Sequence, residues 1–152
     1  MEPLHIALLT PEIPGNTGNI GRLAVGIGAG LHLIRPLGFD LSEKAVRRAG
    51  IDHWSQVKLV THDSVEAFFE WAGTRNVHLF SAHGSTPYTR LQVQPGDVLL
   101  FGPESVGLPP ALVEKYGAWS IPMPGEIRSL NLSNAVAVAA YHALQQTHSN
   151  LF

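Results

Sequence analysis

The chain of 152 residues contains no cysteine. Disulfide bonds, thiolate zinc sites, cysteine-ligated iron–sulfur clusters and a cysteine nucleophile are therefore excluded. The chain also lacks a run of 18 or more apolar residues and a charged leader followed by a cleavable apolar core, so its sequence predicts neither a membrane span nor a secretory signal. We expect a cytoplasmic protein with no membrane partner.

The chain also lacks a large excess of either charge, because 10 basic and 12 acidic residues leave a formal net charge of −2. If the protein binds RNA, it needs a local basic patch, since the chain as a whole offers no electrostatic attraction. With 45% hydrophobic residues the chain can build a core, and a domain of about 150 residues buries about 70% of its unfolded surface. We therefore expect one domain over residues 1–152.

Several common site motifs are missing. Gly26, Gly28 and Gly30 form G-x-G-x-G, but they follow a helical stretch and precede a strand, the reverse of the dinucleotide fingerprint. No G-K-S/T phosphate loop occurs, and the eight histidines show no metal-ligand spacing, so we expect no metal. The segment 102–107 does not fit the G-x-S-x-G pattern of a hydrolase nucleophile elbow, because two residues rather than one separate Gly102 from Ser105.

Short apolar runs alternate with helical stretches, which predicts an α/β fold with a mostly parallel six-stranded sheet and helices on both faces. The predicted strands are residues 5–9, 31–34, 57–60, 77–80, 98–101 and 119–121. A loop at residues 16–19 leads into the first predicted helix, from residue 20. Asp40 with Glu43, and Asp63 with Glu66, resemble capping boxes for the next two helices, and Gly50 is expected to end the first of these. The last two helices are predicted at residues 109–116 and 131–146.

Ligands of parallel sheets bind beyond the carboxyl ends of strands. The loops after residues 9, 101 and 121 all leave strands at that end, so we expect them to converge. The third loop carries a dense polar cluster, namely Arg128, Ser129, Asn131, Ser133 and Asn134. Four amide and hydroxyl groups in six residues exceed what one helix cap needs, although capping is the structural alternative.

One helix face is strongly basic. Lys44, Arg47 and Arg48 lie at positions i, i+3 and i+4, so they share that face. The stripe could bind RNA phosphates, or it could be a solvated helix face placed favourably at the C-terminal dipole.

Three segments carry a family resemblance. Residues 16–22 (NTGNIGR), 100–109 (LFGPESVGLP) and 121–134 (IPMPGEIRSLNLSN) resemble the three ordered motifs of the SPOUT methyltransferases. Residues 4–50, together with 47–54 (RRAGIDHW), are similar to the single-domain branch that methylates the ribose of the wobble nucleotide of tRNA. The resemblance covers nearly the whole chain.

The resemblance implies a deep C-terminal trefoil knot from about Gly102, S-adenosylmethionine as cofactor, a tRNA anticodon stem-loop as substrate, and an obligate homodimer. The cofactor-binding positions it implies are Ala82, Gly102, Glu104, Gly107, Ile121, Met123, Ser129 and Leu130. The catalytic positions are Asn16, Arg22, Glu104, Ser129 and Asn131. The proposed RNA-binding residues are Lys44, Arg47, Arg48 and Arg128.

The resemblance also implies that Arg22, activated by a substrate phosphate, is the proton acceptor. Arginine stays protonated in proteins, and a nearby phosphate would raise the pKa further. We therefore interpret Arg22 as a phosphate clamp, with the proton leaving through water or another group. The structural alternative is an ion pair between Arg22 and Glu12 or Glu104.

Two other functions are compatible with the motifs. One is ribose methylation of ribosomal RNA, which the lack of an extra RNA-binding domain disfavours. The other is a non-catalytic RNA-binding module, which the joint presence of Arg22, Ser129 and Asn131 disfavours.

Overall fold

The computed structural model describes residues 2–42 and 44–152. Within these ranges seven strands form one sheet, and they are β1 His5–Leu9, β2 Gly30–Ile34, β3 Leu59–His62, β4 Val77–Phe80, β5 Thr86–Pro87, β6 Val98–Phe101 and β7 Trp119–Ser120. The α-helices are α1 Pro14–Ile27, α2 Lys44–Gly50, α3 Val65–Ala72, α4 Pro110–Tyr116 and α5 Leu132–Thr147. Short 3-10 helices span Ile51–Gln56, Tyr88–Arg90 and Ser149–Leu151.

The sheet has the order β3-β2-β1-β6-β4-β7-β5, and every pairing in it is parallel. The predicted α/β class is confirmed, but the predicted count of six strands is wrong. The additional strand is β5, whose Thr86 and Pro87 pair with Trp119 and Ser120. Two residues, one of them proline, produce no alternating pattern, so this strand has no signal in the sequence.

Both faces of the sheet are covered, because successive residues of a strand point to opposite sides. Ile6 and Leu8 of β1 belong to a cluster with Ile20 of α1 and Val136 of α5. Ala7 and Leu9 belong to a second cluster, which contains Phe68 of α3 and has Leu112 of α4 packed against it. The carboxyl edge of the sheet is therefore held between two rigid layers.

Several predicted boundaries are wrong. α1 begins at Pro14 rather than residue 20, because proline fits the first helical turn, so Asn16 lies in the helix. β3 covers Leu59–His62 rather than residues 57–60, since the N–H of Val57 still donates to the Trp54 carbonyl at the end of the preceding 3-10 helix. Gly50 closes α2 but runs directly into that 3-10 helix instead of ending the helical segment.

The two capping-box predictions have different outcomes. Ser64, not Asp63, is the N-cap of α3, where its Oγ accepts a hydrogen bond from the Ala67 N–H at 3.0 Å. The other prediction involves Glu43, which lies outside the described residues. Its partner Asp40 accepts hydrogen bonds from the N–H and the hydroxyl of Ser42, both at 2.9 Å.

A row of three histidines crosses strands β1, β2 and β3. Nδ1 of His5 lies 3.0 Å from Nε2 of His32, and Nδ1 of His32 lies 2.9 Å from Nε2 of His62. The ring of Trp71 packs against all three, and the guanidinium of Arg75 lies 4.6 Å from the Trp71 ring. Burial, then the neighbouring histidines and Arg75, lower the pKa of His32 to about 3. Burial also lowers the pKa of His5 and of His62.

No helix in the described part of the chain is long and apolar enough to cross a membrane.

Candidate active site

A cavity of about 680 Å³ opens at the carboxyl edge of the sheet, where the loops after β4, β6 and β7 meet the start of α1. Its size lies within the range of small-molecule sites. Ten of the fifteen candidate catalytic, cofactor-binding and RNA-binding residues line it, and they are Asn16, Ala82, Gly102, Glu104, Gly107, Ile121, Arg128, Ser129, Leu130 and Asn131. The remaining five, Arg22, Lys44, Arg47, Arg48 and Met123, do not line it.

The carboxylate of Glu104 ties the loop after β6 to the loop after β1. Its Oε1 accepts a hydrogen bond from the N–H of Glu12 at 2.8 Å, and its Oε2 accepts one from the N–H of Ile13 at 2.8 Å. Oε2 also accepts from the amide nitrogen of Asn16 at 3.2 Å. Hydrogen bonds to a carboxylate are stronger than those between neutral groups, so this side chain fixes where α1 begins relative to the loop.

The amide of Asn16 continues the network to the loop after β7. Nδ2 of Asn131 donates to Oδ1 of Asn16 at 3.2 Å. Oδ1 of Asn131 accepts from the N–H of Ser133 at 3.0 Å and from its hydroxyl at 2.7 Å. Asn131 is therefore both the N-cap of α5 and a contact to α1. The capping alternative is correct for this residue, but capping uses only one end of its amide.

Gly102 allows a close crossing of two backbone segments. A Cβ at this position would overlap the backbone of Gly107 and Leu108. Gly107 has a φ of +69°, a conformation that side chains other than glycine rarely adopt. These two glycines let the loop fold back on itself and form one wall of the cavity.

Arg22 is exposed on α1. Among the residues that the structure describes, no ion pair joins it to Glu12 or Glu104. Both carboxylates are instead occupied by hydrogen bonds from the loops. The ion-pair alternative for Arg22 is therefore wrong for this structure.

The basic residues lie at two places. Lys44, Arg47 and Arg48 are exposed on α2, which packs on α1, and Arg128 is exposed where it lines the cavity. Any RNA that reached all four would therefore have to cover both the cavity and α2.

No cluster of three or more potential ligand side chains that could hold a metal ion is present within residues 2–42 and 44–152. Apolar walls and backbone dominate the cavity instead, with Ile121, Leu130 and Leu132 among its lining residues. Such walls suit an adenine ring.

Sequence reasoning missed further residues at the site. The lining also includes Ile13, Phe80, Ser81, His83, Phe101, Pro103, Ser105, Val106, Trp119, Leu132 and Ala135. Ile13 and Glu12 had an available signal, because their loop follows β1 at the carboxyl edge. Their contact to Glu104 uses backbone N–H groups, which every residue except proline carries, so the sequence does not reveal it.

Comparison with known proteins decides the family. The model of the SpoU rRNA Methylase family matches residues 3–141. The chain belongs to the SpoU methylase family. The family resemblance seen in the three motifs is thereby confirmed.

Curated relatives of this SpoU methylase match it over nearly their full length. The tRNA (cytidine(34)-2'-O)-methyltransferase of Aeromonas hydrophila is 44% identical over 146 residues, covering 94% of each chain. The enzyme of the same name from Escherichia coli K12 is 40% identical over 146 residues, covering 94% of this chain and 93% of that one.

Solved structures similar to this SpoU methylase include one that concerns the 2-OH methylation of C/U34 on tRNA. It has a TM-score of 0.93 and 49% identity, and it covers 95% of this chain and 96% of that chain. An AdoMet-bound rRNA methyltransferase from Sinorhizobium meliloti has a TM-score of 0.85 and 29% identity, covering 94% of this chain but 56% of that one.

Proposed function

We propose that this SpoU methylase is a cytoplasmic enzyme that uses S-adenosylmethionine to methylate the ribose 2′-hydroxyl of the wobble nucleotide, a cytidine or modified uridine at position 34 in the anticodon loop of tRNA. The observation that carries the proposal is the near full-length match to relatives named for this reaction. The cavity supports it, because the three motif segments each contribute to its lining.

The cofactor is proposed to lie against the loops after β4, β6 and β7. Gly102 and Gly107 bring the backbone of one loop close, Ile121 and Leu130 offer an apolar wall, and Ser129 offers a hydroxyl. Ala82 also lines the cavity. Met123 is half-buried outside the lining, so its proposed contact requires the loop after β7 to close further.

Bound S-adenosylmethionine would supply a methyl group already activated on a sulfonium. The protein must then align one ribose oxygen with the methyl group and remove the proton of that oxygen. No covalent intermediate between enzyme and substrate is required, which fits a chain without cysteine. Alignment can supply about 7–11 kcal/mol, and general-base assistance typically adds about 10²–10⁴-fold.

Within this proposal, the polar residues divide between holding the loops and holding the substrate. Glu104 receives three hydrogen bonds from the start of α1 and the loop before it, which supports a loop-orienting role over contact with the sulfonium. Asn16 and Asn131 connect α1 to α5. Ser129, exposed at the cavity, and the remaining donor capacity of Asn131 would orient the ribose.

Arg22 is proposed to clamp a phosphate of the substrate. Its exposure on α1 supports contact with RNA, and a protonated guanidinium suits phosphate binding but not proton abstraction. In an Arg22→Lys enzyme we expect a lower rate with an unchanged pH profile. Near-normal rates with a pH dependence moved downward would instead support a base role for Arg22.

A homodimer is proposed as the active form, with the basic α2 stripes of two copies flanking the RNA. Tyr141 on α5 is 48% exposed, which supports this helix as a contact surface. The molar mass in solution, measured by light scattering, should be twice that of the chain. Tyr141→Glu should shift it toward the monomer.

The trefoil knot is likewise a proposal. It is supported by a tight crossing, in which the backbone of Gly84 lies so close to Ala118 and Trp119 that a Cβ would come within 2.7 Å of both. The N–H of Ser81 also donates to the Trp119 carbonyl at 3.0 Å. Tracing the chain in an experimental electron-density map tests the topology.

The proposed substrate is tested by mapping methylated nucleotides in total RNA from a strain that lacks the protein. Mass spectrometry should find the 2′-O-methyl group lost from tRNA position 34 and restored by the parent gene. Loss from ribosomal RNA would identify the rRNA alternative, and no loss anywhere would favour a non-catalytic RNA-binding module. Ser129→Ala serves as the matched catalytic-site variant in the restored strain.

A further inference from the structure

Two loops at the carboxyl edge bind each other through their carboxylates. Glu104, in the loop after β6, accepts from the N–H groups of Glu12 and Ile13, both at 2.8 Å. Glu12, in the loop after β1, accepts in return from the N–H of Ser105 at 2.8 Å and from its hydroxyl at 3.0 Å. Each loop therefore satisfies backbone donors of the other. We call the contact between Glu12 and Ser105 the latch.

The latch contacts a segment that separates two cavities. The segment 103–107 has the candidate cofactor cavity on one side and a second cavity, of about 760 Å³, on the other. Pro103, Val106 and Gly107 line both cavities. Val106 is 77% exposed and Ser105 is also exposed, whereas Pro103 is buried, so side-chain packing holds the start of the segment but does little for Ser105 and Val106. Hydrogen bonds must therefore supply most of the restraint.

Glu12 itself does not line the cofactor cavity, whereas Ser105 does. Its influence on the site is therefore indirect and passes through the Ser105 backbone. The other carboxylate of the pair, Glu104, connects onward to Asn16 and from there to Asn131. The latch thus adds a second connection between the loop after β6 and the segment before α1, beside the hydrogen-bonded path that runs from Glu104 to α1 and α5.

Two hydrogen bonds from Ser105 lower the pKa of Glu12. The bond from the Ser105 N–H has the larger effect and the bond from its hydroxyl the smaller one. The side chain is therefore ionised at neutral pH. Both of its oxygens are engaged, since Oε1 takes the N–H and Oε2 takes the hydroxyl. A glutamine could replace this pattern, because its carbonyl accepts from the N–H while its amide donates to the hydroxyl.

We propose that Glu12 is a positioning residue for methyl transfer, which fixes the segment 103–107 in its cofactor-binding conformation by accepting two hydrogen bonds from Ser105. This rests on the proposed function of the cavity. Pre-organisation of this kind raises cofactor affinity, because the loop does not have to be ordered when the cofactor binds.

The first test measures S-adenosylmethionine affinity by calorimetry together with urea unfolding. Glu12→Ala, which removes both hydrogen bonds from Ser105, should weaken the affinity about tenfold. Its urea unfolding midpoint should fall only slightly, since the latch is exposed and substitutions at exposed positions usually have small effects on stability. Glu12→Gln should stay within about threefold of the parent, because it keeps both contacts. Glu114→Ala, which removes an exposed glutamate on α4, is the matched control.

A double-mutant cycle isolates the contact itself. Ser105→Ala removes only the hydroxyl, so it should weaken cofactor affinity by about twofold to threefold while the N–H still binds Glu12. In Glu12→Ala the same second change should then have little effect, because its partner is already gone. Strictly additive losses, or a Glu12→Gln affinity as poor as that of Glu12→Ala, would overturn the proposal.

Amide hydrogen exchange separates failure of the latch from failure of the proposed function. The Ser105 N–H should be protected in the parent without cofactor and should lose protection in Glu12→Ala. If the parent binds no S-adenosylmethionine, the function fails, while this exchange result still tests whether the latch holds the loop. If the parent binds the cofactor and Glu12→Ala binds it equally well, the latch proposal fails and the function stands.

Discussion

Acid should destabilise this protein through His32. This side chain is 1% exposed and hydrogen-bonded between His5 and His62, and burial lowers its pKa from 6.5 to about 3 in the folded state. In the unfolded chain it takes up a proton below its ordinary pKa of 6.5, whereas the folded chain excludes that proton. The free energy of unfolding therefore falls as the pH falls through 6.5, and it continues to fall until about pH 3.

The size of the effect follows from proton linkage. With a pKa of 6.5 in the unfolded chain and about 3 in the folded chain, His32 alone should remove about 1.4 kcal/mol between about pH 7.5 and pH 5.5. His5 and His62 add to this, because burial lowers the pKa of each. Arg75 acts in the same direction on His5 and His32, while Glu2 raises the pKa of His5.

Urea unfolding at the two pH values, followed by circular dichroism, measures this difference. His32→Leu should be less stable than the parent at both pH values, because His5 and His62 each lose a hydrogen-bond partner. Its loss of stability between the two values should, however, be smaller by about 1.4 kcal/mol or more. His83→Leu, which removes an exposed histidine from the loop after β4, should retain the parent's dependence. Parallel pH dependences for parent and His32→Leu would refute the reasoning.

Further predictions concern the core, the cavity wall and the RNA-binding face. Phe68→Ala should lower the free energy of unfolding in urea by about 3–5 kcal/mol, because Phe68 is fully buried, whereas Phe152→Ala at an exposed position should change it by less than about 0.5 kcal/mol. Gly102→Ala should abolish calorimetric binding of S-adenosylmethionine, while Gly125→Ala, whose Cβ meets nothing within 4 Å, should preserve it; equal affinities would contradict the wall geometry. Arg48→Gln should reduce the slope of log affinity for tRNA against log salt by about 0.7, the value for one phosphate contact on single-stranded RNA, and an unchanged slope would remove α2 from the interface.

Much of the fold follows from local pattern. The apolar runs of β1, β4 and β6 are placed correctly by the sequence, because buried parallel strands are continuous hydrophobic segments. β3 is displaced by two residues, since its last residue is the buried His62, a polar residue that pattern reasoning assigns to the outside. That side chain is buried because His32 satisfies one of its ring nitrogens and Trp71 packs against its ring, which is a tertiary effect.

For the candidate site as well, some features follow from the sequence and others do not. Convergence of the motif loops is predictable, because all of them follow strands at the carboxyl edge. The backbone partners of Glu104 are not predictable, since these N–H groups lie 91 and 92 residues away in sequence. A knot also cannot be inferred from the sequence by physical rules, because unknotted connections are the default among folds, so its expectation from the sequence comes from the family resemblance alone.

In the proposed reaction, S-adenosylmethionine bound in one cavity donates its methyl group to one ribose oxygen. The most direct measurement uses labelled S-adenosylmethionine with two synthetic tRNAs, one fully ribose and one with a single 2′-deoxy nucleotide at position 34. Because the 2′-hydroxyl is the proposed acceptor, label should enter the first tRNA and not the second. Equal labelling of both tRNAs, or of neither, would contradict the account.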